Sequence, residues 1–238
     1  MEQSKVSEIE RKFFFVFPGQ GSQYRGMGSD LVSEFESARE IFERSSEVVG
    51  YDMAARCFED PDGKLNLTRF TQPALVTHQL ACLAALQNLL GDTAAKPVLT
   101  AGHSLGEYSA LVVAGALTVE NANTLVKRRG ELMGEVDVLS NYTGTLHDAD
   151  SRAIRSRLFF QLFNPVRWFA CIQTAFEQDI NCIVEFGGGI GSGEAPAEKR
   201  PNLESMIKKA LKLSAYEADY FPAINVAGIY AIADTLAG

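Results

Sequence analysis

The sequence predicts an α/β fold built on a short, mainly parallel sheet flanked by helices. Three observations carry that prediction. Strand-like apolar runs alternate with helix-like stretches, and residues 13–17 are apolar on both faces, as a central buried strand must be. Gly102-His103-Ser104-Leu105-Gly106 reads as a sharp strand-to-helix turn. The 238 residues allow one large domain or a domain with an appendage, and 46% hydrophobic with 22% charged residues suits a globular protein with a sizeable core.

The elements follow in order. The run 13–17 ends at Pro18-Gly19 and reads as a strand. Asp30 is the expected N-cap of a helix to about residue 49, with Leu31, Phe35, Ala38 and Phe42 on one stripe. Pro73 sits near the start of a second long helix, roughly 72–90, dense in Ala and Leu and therefore buried. Residues 97–101 form an extended run before the turn, and 108–114 are apolar and helix-compatible. A helix over 118–131 has Thr118 and Glu120 in its first turn, and a short strand is expected at 136–140. Residues 148–163 read as helical, interrupted by Asn164-Pro165 before a further helix to about 177. The last clear strand is 182–186, followed by one long Gly/Pro/charged loop over 187–202.

Composition narrows the function classes. A net charge of −8 argues against broad nucleic-acid or anionic-membrane binding, which needs a basic face. The polar residues 1–12 are not a signal peptide, and no apolar run approaches the roughly 20 residues that span a bilayer. Cys57, Cys82, Cys171 and Cys182 are scattered without a C-x-x-C pair, so buried free thiols in a reducing compartment are expected. A cytoplasmic protein follows from these readings.

The turn at 102–106 carries the chemistry. In G-x-S-x-G, small residues let the backbone bend tightly while the serine hydroxyl projects from the fold. The next amide, Leu105 N–H, points where an oxyanion would form. The spacing alone also arises by chance in a chain rich in glycine and serine. A second turn, Phe17-Pro18-Gly19-Gln20-Gly21-Ser22-Gln23, follows the first strand directly. It either cradles a ligand or is a tight turn that Gln20 caps, and its spacing is not a dinucleotide fingerprint.

These motifs, with Thr71-Gln72-Pro73-Ala74-Leu75, Arg128-Arg129-Gly130 and Gln161-Leu162-Phe163-Asn164-Pro165-Val166-Arg167-Trp168, occur in one order. Together they resemble the malonyl-CoA:acyl carrier protein transacylases, the acyltransferase family of fatty acid and polyketide synthesis, over most of residues 12–190. The resemblance implies a hydrolase-like core and a ping-pong transfer of malonyl from coenzyme A to an acyl carrier protein. It makes Ser104 the nucleophile and gives the oxyanion amides to Gln20 and Leu105. Gln72 and His103 would line the pocket, and Gln161 would orient a catalytic histidine through its backbone carbonyl. Arg129, 25 residues past the serine, aligns with the arginine that binds the malonyl carboxylate. A guanidinium suits that task through two parallel charge-assisted bonds, the alternative being a solvated helix charge beside Lys127 and Arg128. The implied partners are malonyl-CoA and an acyl carrier protein, with no nucleic acid, membrane, metal or cofactor beyond the thioester substrate, and a monomeric chain.

The chain departs from the family near residues 134–137. There a small ferredoxin-like subdomain and the general-base histidine are expected but absent or reduced, leaving 1–238 as the large acyltransferase domain. Three explanations stand: an excision that leaves an impaired core, a sequence from which part of an intact enzyme is left out, or another histidine in the base's place. His147 is the one candidate near the junction, although its polar turn reads as an exposed loop. His78 reads as structural, and His103 as a poor base because neighbours at a sharp turn point apart. An acyl hydrolase and a non-catalytic scaffold are the rival functions. The loop from Gly187 to Gly193 reads as a mobile loop at the site mouth rather than a phosphate cradle, since no G-K-[ST] follows. Lys199-Arg200 and Lys208-Lys209 read as solvated charges rather than a basic patch.

Overall fold

The computed structural model describes residues 11–91, 96–125, 137–147, 156–158, 160–161 and 164–237. Five strands, β1 (Phe13–Phe17), β2 (Leu99–Gly102), β3 (Asp137–Leu139), β4 (Cys182–Phe186) and β5 (Asp219–Ala223), form one parallel sheet in the order β3-β2-β1-β4-β5. β1 is central, with Phe15 opposite Thr100 on one side and Val184 on the other. All five of its side chains are buried. Phe13, Phe15 and Phe17 enter one core cluster and Phe14 and Val16 the other, which is why the run is apolar without alternation.

Helices cover both faces. On the larger cluster lie α1 (Ser29–Glu34), α2 (Glu36–Val49), α3 (Met53–Phe58), α4 (Thr68–Leu90), α5 (Gly106–Val113), α6 (Val119–Leu125) and α9 (Val226–Ala237). On the smaller lie α7 (Trp168–Phe176) and α8 (Glu204–Ser214). The α/β prediction with a parallel sheet is what the chain adopts. All four cysteines are free and buried, and burial pushes the Cys171 thiol up to about 12.

Several elements differ from expectation. The helix expected over 30–49 is two helices, because Phe35 takes an extended conformation and drives its ring into the core. Asp30 is not the N-cap: Gly28 holds that position with φ 82°, and the Asp30 carboxylate accepts from Val226 N–H at 3.0 Å. α4 begins at Thr68 and runs through Pro73, which cannot donate to the carbonyl of Arg69. Of the helix expected over 118–131, residues 118–125 are described, helical from Val119, with Thr118 Oγ1 accepting from Asn121 N–H at 3.0 Å. Of the helix expected over 148–163, residues 156–158 and 160–161 are described, all helical.

Two further elements carry no strong local signal. The turn that leads into α8 is held from β4, where buried Glu185 accepts from Asn202 N–H at 2.8 Å and Leu203 N–H at 3.1 Å. Burial pushes that carboxyl up to about 7, against the pull of these amides and the Tyr220 hydroxyl. β5 pairs with β4 through residues 219, 221 and 223, since Asp219 N–H donates to Asn181 C=O and Gly187 N–H to Ala223 C=O. Tyr220 and Pro222 therefore present their backbone to the outer edge, where Pro222 has no N–H to offer.

The glycine-rich loop after β4 is pinned rather than mobile in its first residues. Gly187 N–H is held by Ala223, Gly189 N–H by Ser22 C=O at 2.8 Å and Ile190 N–H by Arg200 C=O at 2.9 Å. Gly188 N–H donates to Nδ1 of His78, at 3.1 Å. With these amides spent, residues 187–190 are not a phosphate cradle. His78 is fully buried in α4, and burial holds its pKa down at about 4 from an ordinary 6.5.

Between those two values the unfolded chain binds a proton at His78 that the native protein does not. His78 by itself should therefore lower stability by about 3 kcal/mol as pH falls from 6.5 to 4. Glu185, raised to about 7, binds a proton in the native protein first and works in the opposite direction between 7 and 4.5. Urea unfolding midpoints across that window check this. His78→Gln should remove the His78 share, so that the variant gains stability relative to wild type as pH falls from 6.5 to 4, and an unchanged difference would clear His78 of responsibility.

Candidate active site

β2 ends at Gly102 and α5 begins at Gly106, leaving three residues for the turn. A Cβ at position 102 would lie 1.7 Å from the Gly106 carbonyl carbon, and one at 106 would lie 2.1 Å from Phe17 C=O. Only glycine at both places lets α5 start directly against the ends of β1 and β2. Between them Ser104 is forced to φ 54°, a left-handed conformation that costs a non-glycine residue about 1–3 kcal/mol. Such an outlier persists only where its surroundings over-determine it.

The turn after β1 crosses the same point. His103 N–H donates to Phe17 C=O at 2.7 Å, and a Cβ on Gly19 would lie 2.6 Å from His103 C=O. Gln79 Nε2 donates to Pro18 C=O at 2.7 Å, and Ser109 Oγ in α5 donates to Gln79 Oε1 at 2.6 Å. Residues 18–21 are thus held against the serine turn, with Gln20 exposed at the outer end. Ser104 itself is half-buried, and its hydroxyl has no hydrogen bond among the described residues. Nor has the Leu105 N–H, at the positive end of α5. Gln161 Nε2 donates to Ser104 C=O at 2.7 Å, so its side chain grips the turn directly.

Beneath the turn lies a polar cluster that the sequence did not announce. Asn141, fully buried after β3, accepts from Ser104 N–H at 2.8 Å and donates Nδ2 to Gly102 C=O at 2.5 Å. The same Nδ2 donates to Glu107 Oε2 at 2.6 Å, and Glu107 Oε1 meets His147 Nε2 at 2.6 Å. Residues 140–147 fold back on β3 through Ser140 N–H to Thr145 C=O and His147 N–H to Val138 C=O, which carries His147 under α5. His147 is therefore not an exposed loop histidine: its side chain is 4% exposed and tied to Glu107. Its polar flanks misled because burial here is set by a partner 40 residues away. An acidic residue in the first turn of the helix was the one available signal for Glu107.

The other histidines are also occupied. His103 is half-buried edge-on against Trp168, ring centroids 5.7 Å apart, and burial lowers its pKa. It is neutral at pH 7. None of the three histidines hydrogen-bonds to Ser104. Gln72 is half-buried in α4 without a hydrogen bond among the described residues. Arg128, Arg129 and the junction at 134–136 lie outside the described residues. Lys199 packs over the Tyr24 ring at 4.7 Å and donates to Gly191 C=O, and Lys208 pairs with Glu204, so neither builds a basic patch. Among the described residues no cluster of three or more His, Cys, Asp or Glu could hold a metal ion. The arrangement offers a strained serine and an adjacent unspent amide, the parts needed to attack a carbonyl and receive its oxyanion.

Comparison with known proteins adds the family. The acyl transferase domain family matches residues 14–158. A polyketide biosynthesis protein, ThaF, of Burkholderia thailandensis is 50% identical over 129 residues, covering 54% of this chain and 11% of that protein. A malonyl CoA-acyl carrier protein transacylase of Staphylococcus aureus is 45% identical over 124 residues, covering 52% of this chain and 38% of that protein. The chain thus spans well under half the length of these curated relatives. Among solved structures, the malonyl CoA-acyl carrier protein transacylase from Clostridium perfringens superposes with a TM-score of 0.80 at 25% identity, covering 95% of this chain and 97% of that one.

The backbone contact at Gly102 yields a direct expectation. Gly102→Ala should cost at least about 3 kcal/mol of stability, because the obstructing atoms are helix backbone rather than a flexible side chain. Urea unfolding reads this out. A variant within about 1 kcal/mol of wild type would mean that the turn relaxes easily.

Proposed function

The chain belongs to the acyl transferase domain family, and from that premise we propose that it transfers a malonyl group from coenzyme A, through an ester on Ser104, to the phosphopantetheine thiol of an acyl carrier protein. The setting is polyketide or fatty acid synthesis. The observation that carries this reading is Ser104 at φ 54° between β2 and α5, against the turn that bears Gln20. The names of the malonyl-transferring relatives support the substrate class.

In the first half-reaction Ser104 Oγ bonds to the thioester carbonyl, the carbon–sulfur bond breaks, and coenzyme A leaves as the thiol with the serine proton. In the second, the carrier thiol sulfur bonds to the ester carbonyl, the carbon–oxygen bond to Ser104 breaks, and the thiol proton passes to the serine oxygen. The Leu105 and Gln20 amides receive the oxyanion; Ser104 N–H does not, being spent on Asn141. Arg129 grips the malonyl carboxylate, Gln72 and His103 line the acyl pocket, and Gln161 braces the turn through Ser104 C=O. The residues 1–238 supply the large acyltransferase domain, with the ferredoxin-like insertion near 134–137 missing or reduced, and work as a cytoplasmic monomer that uses no metal or cofactor beyond the thioester substrate. Among its described residues no helix is long and apolar enough to cross a membrane.

A second reading has its own observation. With no histidine bonded to Ser104, acylation lacks a general base, which costs about 10²–10⁴ in rate. In that reading the core is a slow transferase or releases malonate by attack of water on the ester.

Three measurements test these proposals. Incubation with malonyl-CoA should add one malonyl group to the intact mass of wild type and none to Ser104→Ala; equal labelling of both would end the covalent mechanism. Added imidazole should speed acylation of wild type by about 10-fold or more by supplying the base. No acceleration would mean that base catalysis is already in place. Arg129→Ala should lower the preference for malonyl-CoA over acetyl-CoA by about 10–100-fold in kcat/KM, and an unchanged ratio would remove Arg129 from the pocket.

A further inference from the structure

We propose that Asn141 is the positioning residue that clamps the strained serine turn, and that the Glu107–His147 pair fixes its orientation. The proposal rests on the acyl-transfer reading of Ser104 and adds to it a buried support that reaches the turn from residues 107, 141 and 147.

The clamp spans the turn on both sides of His103. Asn141 Oδ1 takes the Ser104 amide and Nδ2 gives to the carbonyl of Gly102, so one planar group ties the last residue of β2 to the nucleophile. Left-handed backbone at a non-glycine residue relaxes unless held, and this amide holds Ser104 at φ 54°. The second Nδ2 hydrogen goes to Glu107 Oε2, which also accepts from Asn141 N–H at 3.2 Å. Every polar atom of Asn141 is engaged, its carbonyl receiving Arg167 N–H at 2.9 Å.

Orientation is the second half of the device. Rotating the side-chain amide by half a turn would set NH2 against Ser104 N–H and oxygen against both Gly102 C=O and the Glu107 carboxylate. All three contacts would become repulsive, so the assignment is fixed by its partners. Glu107 can do this because His147 holds its other oxygen, and both side chains are almost wholly buried. His147 thereby acts two steps from the nucleophile, as part of the turn's foundation rather than as its base. The consequence is that Ser104, Leu105 and Gln20 keep their relative placement before substrate arrives.

Hydrogen exchange at single-residue resolution tests the clamp without reference to activity. In Asn141→Ala the Ser104 amide should exchange about 100-fold faster, while amides of Val16 and Val184 in the sheet stay within about 3-fold of wild type. Ser104 protection that persists, or that falls only in step with the sheet amides, would overturn the proposal. Where wild type acylates, kcat for transfer should fall about 10–100-fold in the variant with KM for malonyl-CoA nearly constant. A change confined to KM would likewise overturn it. A failure of wild type to acylate would strike the transferase reading alone, since the exchange result stands apart from it. Should Asn141→Ala not fold, Glu107→Gln keeps the shape but weakens the hold on Nδ2. There Ser104 should exchange about 10-fold faster, and an unchanged rate would count against the clamp.

Discussion

The carbonyl of Phe17 is the point on which the site is built. It closes the central strand, which hydrogen-bonded neighbours immobilise on both sides. His103 N–H bonds to it, and Gly106 passes so near that no side chain could stand between. One residue on, Pro18 C=O is held by Gln79 of α4, itself bonded to Ser109 of α5. Two adjacent carbonyls thus fix the turn after β1, the turn after β2 and two helices. Placement of the serine is a matter of backbone against backbone, which leaves little for side-chain rotamers to blur.

Two buried carboxylates do comparable structural work at different distances from that point. Glu107 sits under the serine turn and Glu185 under the start of α8, and each is surrounded by donors rather than by a single countercharge. A buried carboxylate without such partners would carry a desolvation cost of several kcal/mol. With them it becomes a junction that ties together segments distant in the chain. The same logic governs His78, whose neutral ring caps an amide of the loop after β4.

How much of this was legible follows from how local each feature is. The unalternating apolar run of β1 declared a strand with two buried faces, and the glycine spacing at 102–106 declared a sharp turn around Ser104. Both are consequences of residues a few positions apart. β5 was not legible, because its pattern is broken by Pro222 and by half-exposed residues. The start of α8 depends on Glu185, 18 residues earlier, and no capping residue of its own marks it. The support under the nucleophile joins residues 104, 107, 141 and 147, and pairing across such separations leaves no periodic trace. His147 shows the cost of reading exposure from polar neighbours: Thr143 and Thr145 do face outward in part, while the histidine between strand and helix does not.

The two lateral rims of the sheet have a consequence of their own. On one side stands β3, with residues 145–147 folded back on it; on the other stands β5, where one of the two outward-facing residues, Pro222, is a proline. Tyr220 is left as the lone N–H between residues 219 and 223 that points away from β4. A strand from another molecule would find the outward groups of Val138 and Ser140 already bonded to His147 and Thr145, and the other rim short of donors. An all-parallel sheet is slow to assemble and its unfinished margins invite adhesion between half-folded chains. Here the margins are poor templates from the outset, so this architecture protects itself against cross-strand aggregation while its long-range pairings are still forming.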